Sequence, residues 1–199
     1  ISIDQNGLIW LTVSQGLVTF DGNEFKNAEQ NISDKGKYFA YYELATDNNN
    51  VKWVYAKNNI YSFDNDKWVK HDSTQIGIKS AYNIVNNAKT GELFFCSKNG
   101  ITILKDGKWT KIDKNLFKDL PGDRVSFAKR DSKNRIWIGT YDGTAMIDEN
   151  NQVTNFEKSS TILNGKCITS MDEDENGNLY FTLYEFDRKD KKKVNNDEG

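Results

Sequence analysis

Histidine is the usual residue for acid-base and metal chemistry near neutral pH, and the sequence contains only one, His71. A tetrahedral zinc site or a Ser-His-Asp triad needs several groups in fixed geometry. His71 is followed by Asp72 in a stretch that we interpret as a solvated loop between repeats. The sequence therefore indicates no catalytic residue, no metal ligand set and no cofactor.

Pairs of carboxylates are the second feature that could do chemistry. A glycosidase needs two such groups facing each other across a substrate cleft at a fixed separation. The pairs in this chain, Asp64 with Asp66 and Asp172 with Glu173, fall in turns that we expect to face solvent. They do not by themselves predict a hydrolase.

One acidic stretch has the spacing of a calcium loop. Asp172, Asp174, Asn176 and Gly177 match the first half of an EF-hand loop, where alternate oxygen ligands precede a glycine. The twelfth position is Leu183, which removes the bidentate carboxylate of that loop. Because the same place is a turn in every other repeat, we predict a hairpin turn here.

A repeat of about 43 residues positions all of these side chains. Its main marker is an aromatic residue, present as Trp10, Trp53, Phe94, Trp137 and Tyr180. Three residues earlier stands glycine or asparagine, which tolerate positive φ: Gly7, Asn50, Gly91, Asn134 and Gly177. Six residues earlier stands Asp4, Asp47, Ala88, Asp131 or Asp174. We predict that the Asp side chain bonds the backbone of a hairpin turn.

Each repeat contains four short strand patterns joined by turns. In the fourth repeat these are Val125 to Arg130, Arg135 to Thr140, Thr144 to Ile147 and Gln152 to Phe156. A meander of four strands cannot bury both faces alone, so neighbouring units must pack face to face, with the aromatic position between them. We predict an all-β fold, a β-propeller of four-stranded antiparallel blades. An up-and-down barrel or a β-sandwich would not explain the period.

The five units do not complete a ring, and we expect further blades in the natural chain or closure by another chain. Residues 1–186 are predicted to be blades, of which the first and last are incomplete. Residues 187–199 are predicted to be a charged, mobile loop or tail. Cys96 and Cys167 lie in units that are not neighbours, and we predict two buried free thiols.

Composition limits the partners. The net charge is -2, which provides no basic surface for a nucleic-acid backbone. No window approaches the run of about twenty apolar residues that a membrane-spanning helix needs. We expect a glycan or protein partner, no nucleic acid, no membrane insertion within this segment, and association with further blades or a homo-oligomer.

Propellers bind ligands where the loops between blades and the loops between second and third strands converge. Four residues in these loops have side chains suited to polar ligands such as sugars, by stacking and hydrogen bonding: Asn58, Lys98, Arg124 and Tyr141. We predict that they are ligand-binding candidates at the channel mouth. The alternative is that they are ordinary loop residues.

Residues Asp131–Thr140, followed by Asp142 and Gly143, resemble the two-component-regulator propeller repeat, in which a turn with Asp and Gly precedes Leu-Trp-Ile-Gly-Thr. Residues 3–10 and 174–180 carry partial versions of the motif. The resemblance implies a periplasmic sensor propeller of a hybrid two-component system, mostly found in Bacteroidetes-type bacteria, where such systems regulate polysaccharide use. Similar propellers occur in cell-surface and type IX secretion components.

From this resemblance we predict a non-catalytic, periplasmic or cell-surface module that binds a ligand or partner and acts as a glycan sensor. The alternative is a docking or structural subunit of a surface or type IX secretion complex. A propeller lyase or hydrolase is a third hypothesis, which the single histidine disfavours.

Overall fold

A computed structural model of the chain describes residues 1–13, 16–28, 41–56, 59–72, 74–157, 159 and 161–185, with the backbone alone at 41 and 42. The predicted tail at 187–199 and the candidate Asn58 lie outside the described residues. The described residues form eighteen strands. No helix in these ranges could span a bilayer.

The strands form five consecutive antiparallel sheets. The first contains β1 (Ser2–Ile3), β2 (Ile9–Val13), β3 (Gly16–Phe20) and β4 (Phe25–Asn27). The second contains β5 (Tyr41–Thr46), β6 (Lys52–Ala56), β7 (Asn59–Asp64) and β8 (Lys67–His71). The third contains β9 (Ala81–Asn87), β10 (Glu92–Ser97), β11 (Gly100–Lys105) and β12 (Lys108–Ile112).

The fourth sheet contains β13 (Val125–Arg130), β14 (Ile136–Thr140), β15 (Gly143–Ile147) and β16 (Val153–Asn155). The fifth pairs β17 (Cys167–Glu173) with β18 (Leu179–Tyr184). In each sheet, strands that are consecutive in sequence are neighbours. The strands predicted for the fourth repeat agree with the observed ones to within one residue at each end.

The predicted hairpin turns are present in all five sheets. The five glycine and asparagine positions have positive φ, between 62° and 79°: Gly7, Asn50, Gly91, Asn134 and Gly177. In the fourth sheet, Asp131 Oδ1 accepts hydrogen bonds from the backbone amides of Lys133, at 3.0 Å, and Arg135, at 2.9 Å. Asp4, Asp47 and Asp174 accept the same two bonds in their turns.

The first strands of successive sheets lie side by side, from β1 through β5, β9 and β13 to β17. A separate apolar cluster fills each space between sheets, as the repeat predicts. The marker aromatics of the first four sheets are buried in these clusters: Trp10, Trp53, Phe94 and Trp137. Tyr180 of the fifth sheet is 61% exposed, because no described sheet covers its far face. The prediction that this position is buried between blades is confirmed in the first four sheets and stays a prediction at Tyr180.

The two cysteines, Cys96 and Cys167, are buried and free, as predicted. The Cys167 thiol lies 3.2 Å from the hydroxyl of Ser126 in the preceding sheet. Burial raises the pKa of the Cys96 thiol, which disfavours the reactive thiolate.

Candidate functional site

Two of the predicted channel-mouth residues, Arg124 and Tyr141, lie together. Arg124 directly precedes β13, and Tyr141 begins the short turn between β14 and β15. The backbone amide of Tyr141 donates a hydrogen bond of 3.0 Å to the carbonyl oxygen of Arg124. This bond places the guanidinium carbon of Arg124 at 4.7 Å from the centre of the Tyr141 ring, a cation-π contact.

A third side chain, Tyr82, completes the group and was not predicted from the sequence. Its ring centre lies 5.7 Å from that of Tyr141, with the planes inclined by 55°. Tyr82 stands at a β-bulge in β9. Cys96 of β10 is paired with Asn83, and Ser97 of β10 is paired with Ala81, so Tyr82 is skipped in the register. The bulge leaves Tyr82 without a cross-strand partner and directs its ring towards the fourth sheet.

The side chains of Tyr82, Arg124 and Tyr141, named here the mouth cluster, are half-buried. Burial raises the pKa of the Tyr141 hydroxyl, and Tyr82 raises it further, against an opposing effect of Arg124. The phenol is therefore neutral at physiological pH and can donate as well as accept a hydrogen bond. The cluster offers aromatic surface together with a fixed cation, which suits a polar or anionic ligand.

Lys98 occupies in the third sheet the place that Tyr141 occupies in the fourth. It begins the turn between β10 and β11 and is exposed. Its amide donates to the carbonyl oxygens of Lys79, at 3.0 Å, and Ser80, at 3.3 Å, which anchors the turn to the preceding loop. Lys98 is thus presented at the same end of the sheets as the mouth cluster.

A cavity of about 600 Å³ lies beside the mouth cluster, between the loop that precedes the fourth sheet and the outer strand of that sheet. Its lining is charged and polar, with Lys114, Lys118, Asp119, Asp142, Asn155 and Glu157 among the residues. The Asn155 side-chain amide donates to the Asp119 carbonyl oxygen at 3.0 Å, which holds the loop against β16. The cavity extends the surface that a polar ligand could use.

His71 is not a solvated loop residue, and that interpretation is wrong. It is the last residue of β8 and pairs with Ile60 of β7, so its ring packs on the sheet. His71 Nε2 lies 2.8 Å from the hydroxyl oxygen of Ser62, and its ring stacks on Trp53 at 5.1 Å. Burial lowers the pKa of the His71 imidazole.

A serine hydroxyl bonded to an imidazole is a possible nucleophile and base. Ser62, however, is only 7% exposed and lies within the sheet. Among the described residues, no carboxylate contacts the other nitrogen of His71 to orient it. The pair packs against Trp53 in this geometry.

The acidic pairs differ from each other. Asp64 and Asp66 are exposed at the turn after β7, as predicted. Asp172 is exposed, but the side chain of Glu173 is only 5% exposed, so the prediction that this pair faces solvent is wrong for Glu173. Glu173 accepts a 3.0 Å hydrogen bond from the Ser132 amide of the fourth sheet. It therefore links two blades.

The calcium-like stretch forms the predicted hairpin turn. Asp174 Oδ1 accepts from the amides of Asn176, at 3.0 Å, and Asn178, at 2.8 Å. Asp174 Oδ2 accepts from the Asn178 side-chain amide at 2.8 Å and from the Tyr180 hydroxyl at 3.2 Å. Both carboxylate oxygens thus have protein donors. The described residues include no group of three or more His, Cys, Asp or Glu side chains that could hold a metal ion.

Sheets of four antiparallel strands, stacked with their first strands side by side, define a β-propeller, and the described residues form part of one. The family pattern of the two-component regulator propeller matches residues 119–142. This match contains the Asp131 turn, Trp137 and Tyr141, and it confirms the resemblance deduced from the sequence. No curated protein matches the sequence of the chain.

Solved structures share the fold at low sequence identity. The extracellular domain of the hybrid two-component system BT4673 from B. thetaiotaomicron matches with a TM-score of 0.68 and 19% identity, over 94% of this chain and 26% of that one. PorZ, a surface component of the type-IX secretion system of Porphyromonas gingivalis, matches with a TM-score of 0.63 and 11% identity, over 92% and 31%. Virginiamycin B lyase from Staphylococcus aureus matches with a TM-score of 0.60 and 16% identity, over 94% and 69%.

The chain thus spans about a quarter of the length of the sensor domain and under a third of PorZ. At these identities the likeness establishes the fold alone.

Proposed function

We propose that this chain is part of a non-catalytic, extracytoplasmic binding propeller of the sensor type, and that it binds an acidic glycan through the mouth cluster. The observation that carries the proposal is the convergence of Tyr82, Arg124 and Tyr141, which come from two different blades. The two-component regulator repeat at residues 119–142 supports a regulatory role, and the likeness to an extracellular sensor domain supports the location.

The chemistry of the cluster favours a sugar that carries a carboxylate or sulfate. Tyrosine rings stack on the apolar faces of sugar rings, and their hydroxyls bond sugar hydroxyls. A guanidinium matches the geometry of an acidic group by paired hydrogen bonds. Because Arg124 covers part of the Tyr141 ring, Tyr82 presents the aromatic surface while Arg124 provides the charge.

The test is calorimetric titration of the purified protein with a uronic-acid oligosaccharide and with a neutral oligosaccharide of equal length. We expect the acidic sugar to bind, and Arg124→Ala and Tyr141→Ala each to weaken binding by about tenfold or more. Tyr180→Ala is the matched control. Tyr180 is an exposed tyrosine near the β17–β18 turn, at the end of the sheets opposite to the mouth cluster. Equal binding of both sugars would contradict the role of Arg124, and equal loss in the control would contradict the site.

A docking role in a surface complex is the second candidate. The observation that favours it is the uncovered aromatic face of the fifth sheet, where Tyr180 is 61% and Tyr184 is 50% exposed. The position equivalent to Tyr180 is buried against the next sheet in each of the four preceding blades. A further blade, from this protein or from a partner, would cover this face. Protection of Tyr180 and Tyr184 from chemical labelling only in a complex with a partner protein would support that role.

A further inference from the structure

Three blades contain a hydrogen-bonded pair of aspartate and tryptophan in the same place: Asp4 with Trp10, Asp47 with Trp53, and Asp131 with Trp137. In two of these pairs a cationic side chain of the protein also contacts the carboxylate and lies over the indole. Lys52 Nζ lies 3.1 Å from Asp4 Oδ2 and 5.1 Å from the centre of the Trp10 ring. Arg135 Nε donates to Asp131 Oδ2 at 2.7 Å, and its guanidinium lies 5.4 Å from the centre of the Trp137 ring.

The middle pair has no such cation among the described residues. Lys52 reaches Asp4 from the position just before the marker aromatic of the following blade, and in the third blade Leu93 holds that position. Arg135 stands two residues before Trp137, and Val51 holds that position before Trp53. Among the described residues, the side chain of Asp47 accepts from two amides of its own turn and from Trp53 Nε1 alone.

A cavity of about 460 Å³ occupies the place of the missing cation. It exists because the side chains that fill the interface between the first and second sheets are replaced by smaller ones in the interface between the second and third sheets. Lys52 and Phe63 are cross-strand partners in the second sheet, and Leu93 and Leu104 are the equivalent partners in the third. Leu93 and Leu104 therefore form an apolar wall of the cavity.

Three rings form a second part of the wall. Trp53 and Trp109 stand nearly perpendicular, at 79°, with centres 5.9 Å apart, and His71 stacks on Trp53. Aromatic rings around a cation stabilise it through their negative faces, and a neighbouring carboxylate adds to that attraction. Asp47 supplies the carboxylate, while Lys105 and Asp106 lie at the rim with opposite charges. Because burial lowers the pKa of His71, the imidazole does not add a competing positive charge.

We propose that the cavity between the second and third blades binds an organic cation, an ammonium or guanidinium group on an aliphatic stem. The cation takes the place at Asp47 and Trp53 that Lys52 takes at Asp4 and Trp10. The stem lies along Leu93 and Leu104, as the methylene groups of lysine lie along apolar surfaces elsewhere. A free amine and a lysine or arginine side chain of a partner protein have this chemistry in common. This site is separate from the mouth cluster and does not depend on the proposed function.

The first test is titration of the purified protein with N-acetyl-lysine methylamide. Binding is measured by the change in fluorescence of Trp53 and Trp109 and by calorimetry. N-acetyl-norleucine methylamide, which has a similar stem without the charge, is the control ligand. We expect the lysine compound to bind at least tenfold more tightly. Equal affinity of the two compounds overturns the proposal. Butylammonium distinguishes the sources: binding as tight as that of the lysine compound indicates a free amine, and tenfold weaker binding indicates a side chain held in a peptide.

The second test supplies the missing cation from the protein itself. Leu93→Lys copies Lys52, and we expect it to reduce binding of the lysine compound at least tenfold, whereas the uncharged Leu93→Met should retain binding. Because Leu93 is only 2% exposed, the lysine variant could fail to fold. Val51→Arg, which copies Arg135 from a half-buried position, provides the same test. If Leu93→Lys or Val51→Arg folds and binds the lysine compound with unchanged affinity, the proposal is overturned.

Discussion

The indole nitrogen of Trp137 donates a hydrogen bond of 2.9 Å to Oδ2 of Asp131, six residues earlier. The other carboxylate oxygen of Asp131 binds two backbone amides of the turn, so one side chain joins the turn to the core between blades. The third blade has Ala88 and Phe94 at these positions. The carboxylate and the indole N–H are therefore both absent from the third blade. An indole N–H without its carboxylate would be buried without a hydrogen-bond acceptor.

The first prediction concerns this coupling. Asp131→Ala leaves the Trp137 indole and two turn amides without their acceptor, and it should lower the free energy of unfolding by about 2–3 kcal/mol. Adding Trp137→Phe copies the third blade and removes one of the unsatisfied donors. Urea unfolding of both single variants and the double variant should therefore show a combined loss smaller than the sum. An additive result would mean that the hydrogen bond does not couple the two residues.

The second prediction is a loss of stability in acid. Burial alone would raise the pKa of the Asp131 carboxyl, but hydrogen bonds from Arg135 and Trp137 outweigh it and hold the pKa below its usual range. A carboxyl with a depressed pKa in the folded state stabilises the protein above its unfolded pKa, and this contribution is lost as the pH falls through the folded pKa. Unfolding free energies measured from pH 6 downwards should therefore decrease below about pH 4.

The variant Asp131→Asn should show a shallower decrease over the same acid range, because it carries no titrating carboxyl. The control is Asp66→Asn, at an exposed turn residue, which should follow the wild type. If Asp131→Asn and wild type decreased in parallel, Asp131 would not contribute to the acid dependence.

The third prediction has the opposite sign and concerns Glu43 in β5. Burial raises the pKa of the Glu43 carboxyl to about 7. The unfolded state releases this proton first, so stability falls as the pH rises from about 4.5 to about 7. At the equivalent position of the third blade, the Asn83 side-chain amide donates to the Ser126 carbonyl oxygen at 3.2 Å, which an ionised carboxylate cannot do.

Glu43→Gln should therefore remove this dependence. Solvent screening of the half-buried carboxyl reduces the effect, and we expect the variant to be more stable than wild type by about 1–2 kcal/mol at pH 8. Near pH 4 the two proteins should be equally stable. Thermal unfolding at both pH values measures the difference, with the exposed Glu149→Gln as control. A gain of the same size at both pH values would point to packing and not to ionisation.

The sequence predicted the turns and strands because their chemistry is local. The Asp131 carboxylate and the positive φ of Asn134 act within one hairpin, so spacing along the chain is sufficient to place them. The mouth cluster was predicted only in part, since Tyr82 joins it through a β-bulge and a neighbour 59 residues away in sequence. His71 was wrongly predicted to lie in a loop, because its environment depends on the number of residues over which β8 pairs with β7. Contacts between blades depend on register, which a repeat pattern does not specify.

The last prediction explains the glycine of the Trp-Ile-Gly-Thr motif. Gly139 lies in β14 at a point where the following blade passes closely, and a Cβ there would overlap the carbonyl oxygen of Ile168. Gly139→Ala should therefore lower the free energy of unfolding by about 3 kcal/mol, the upper end of typical overpacking costs, since a backbone group cannot move aside easily. Gly107→Ala is the control for a glycine replaced without a close contact, because its φ of +73° disfavours a side chain but no atom lies within 4 Å of the added carbon. It should cost only about 1 kcal/mol.

Chemical unfolding gives both values, and hydrogen exchange of the β17 amides shows where the strain of Gly139→Ala is released. We expect faster exchange in β17 in this variant and unchanged exchange there in Gly107→Ala. The blades with Tyr55, Cys96 and Thr182 at the equivalent position already contain a Cβ, so the glycine is required by the close approach of Ile168 and not by the repeat as such. Equal costs for the two glycine variants would refute this explanation.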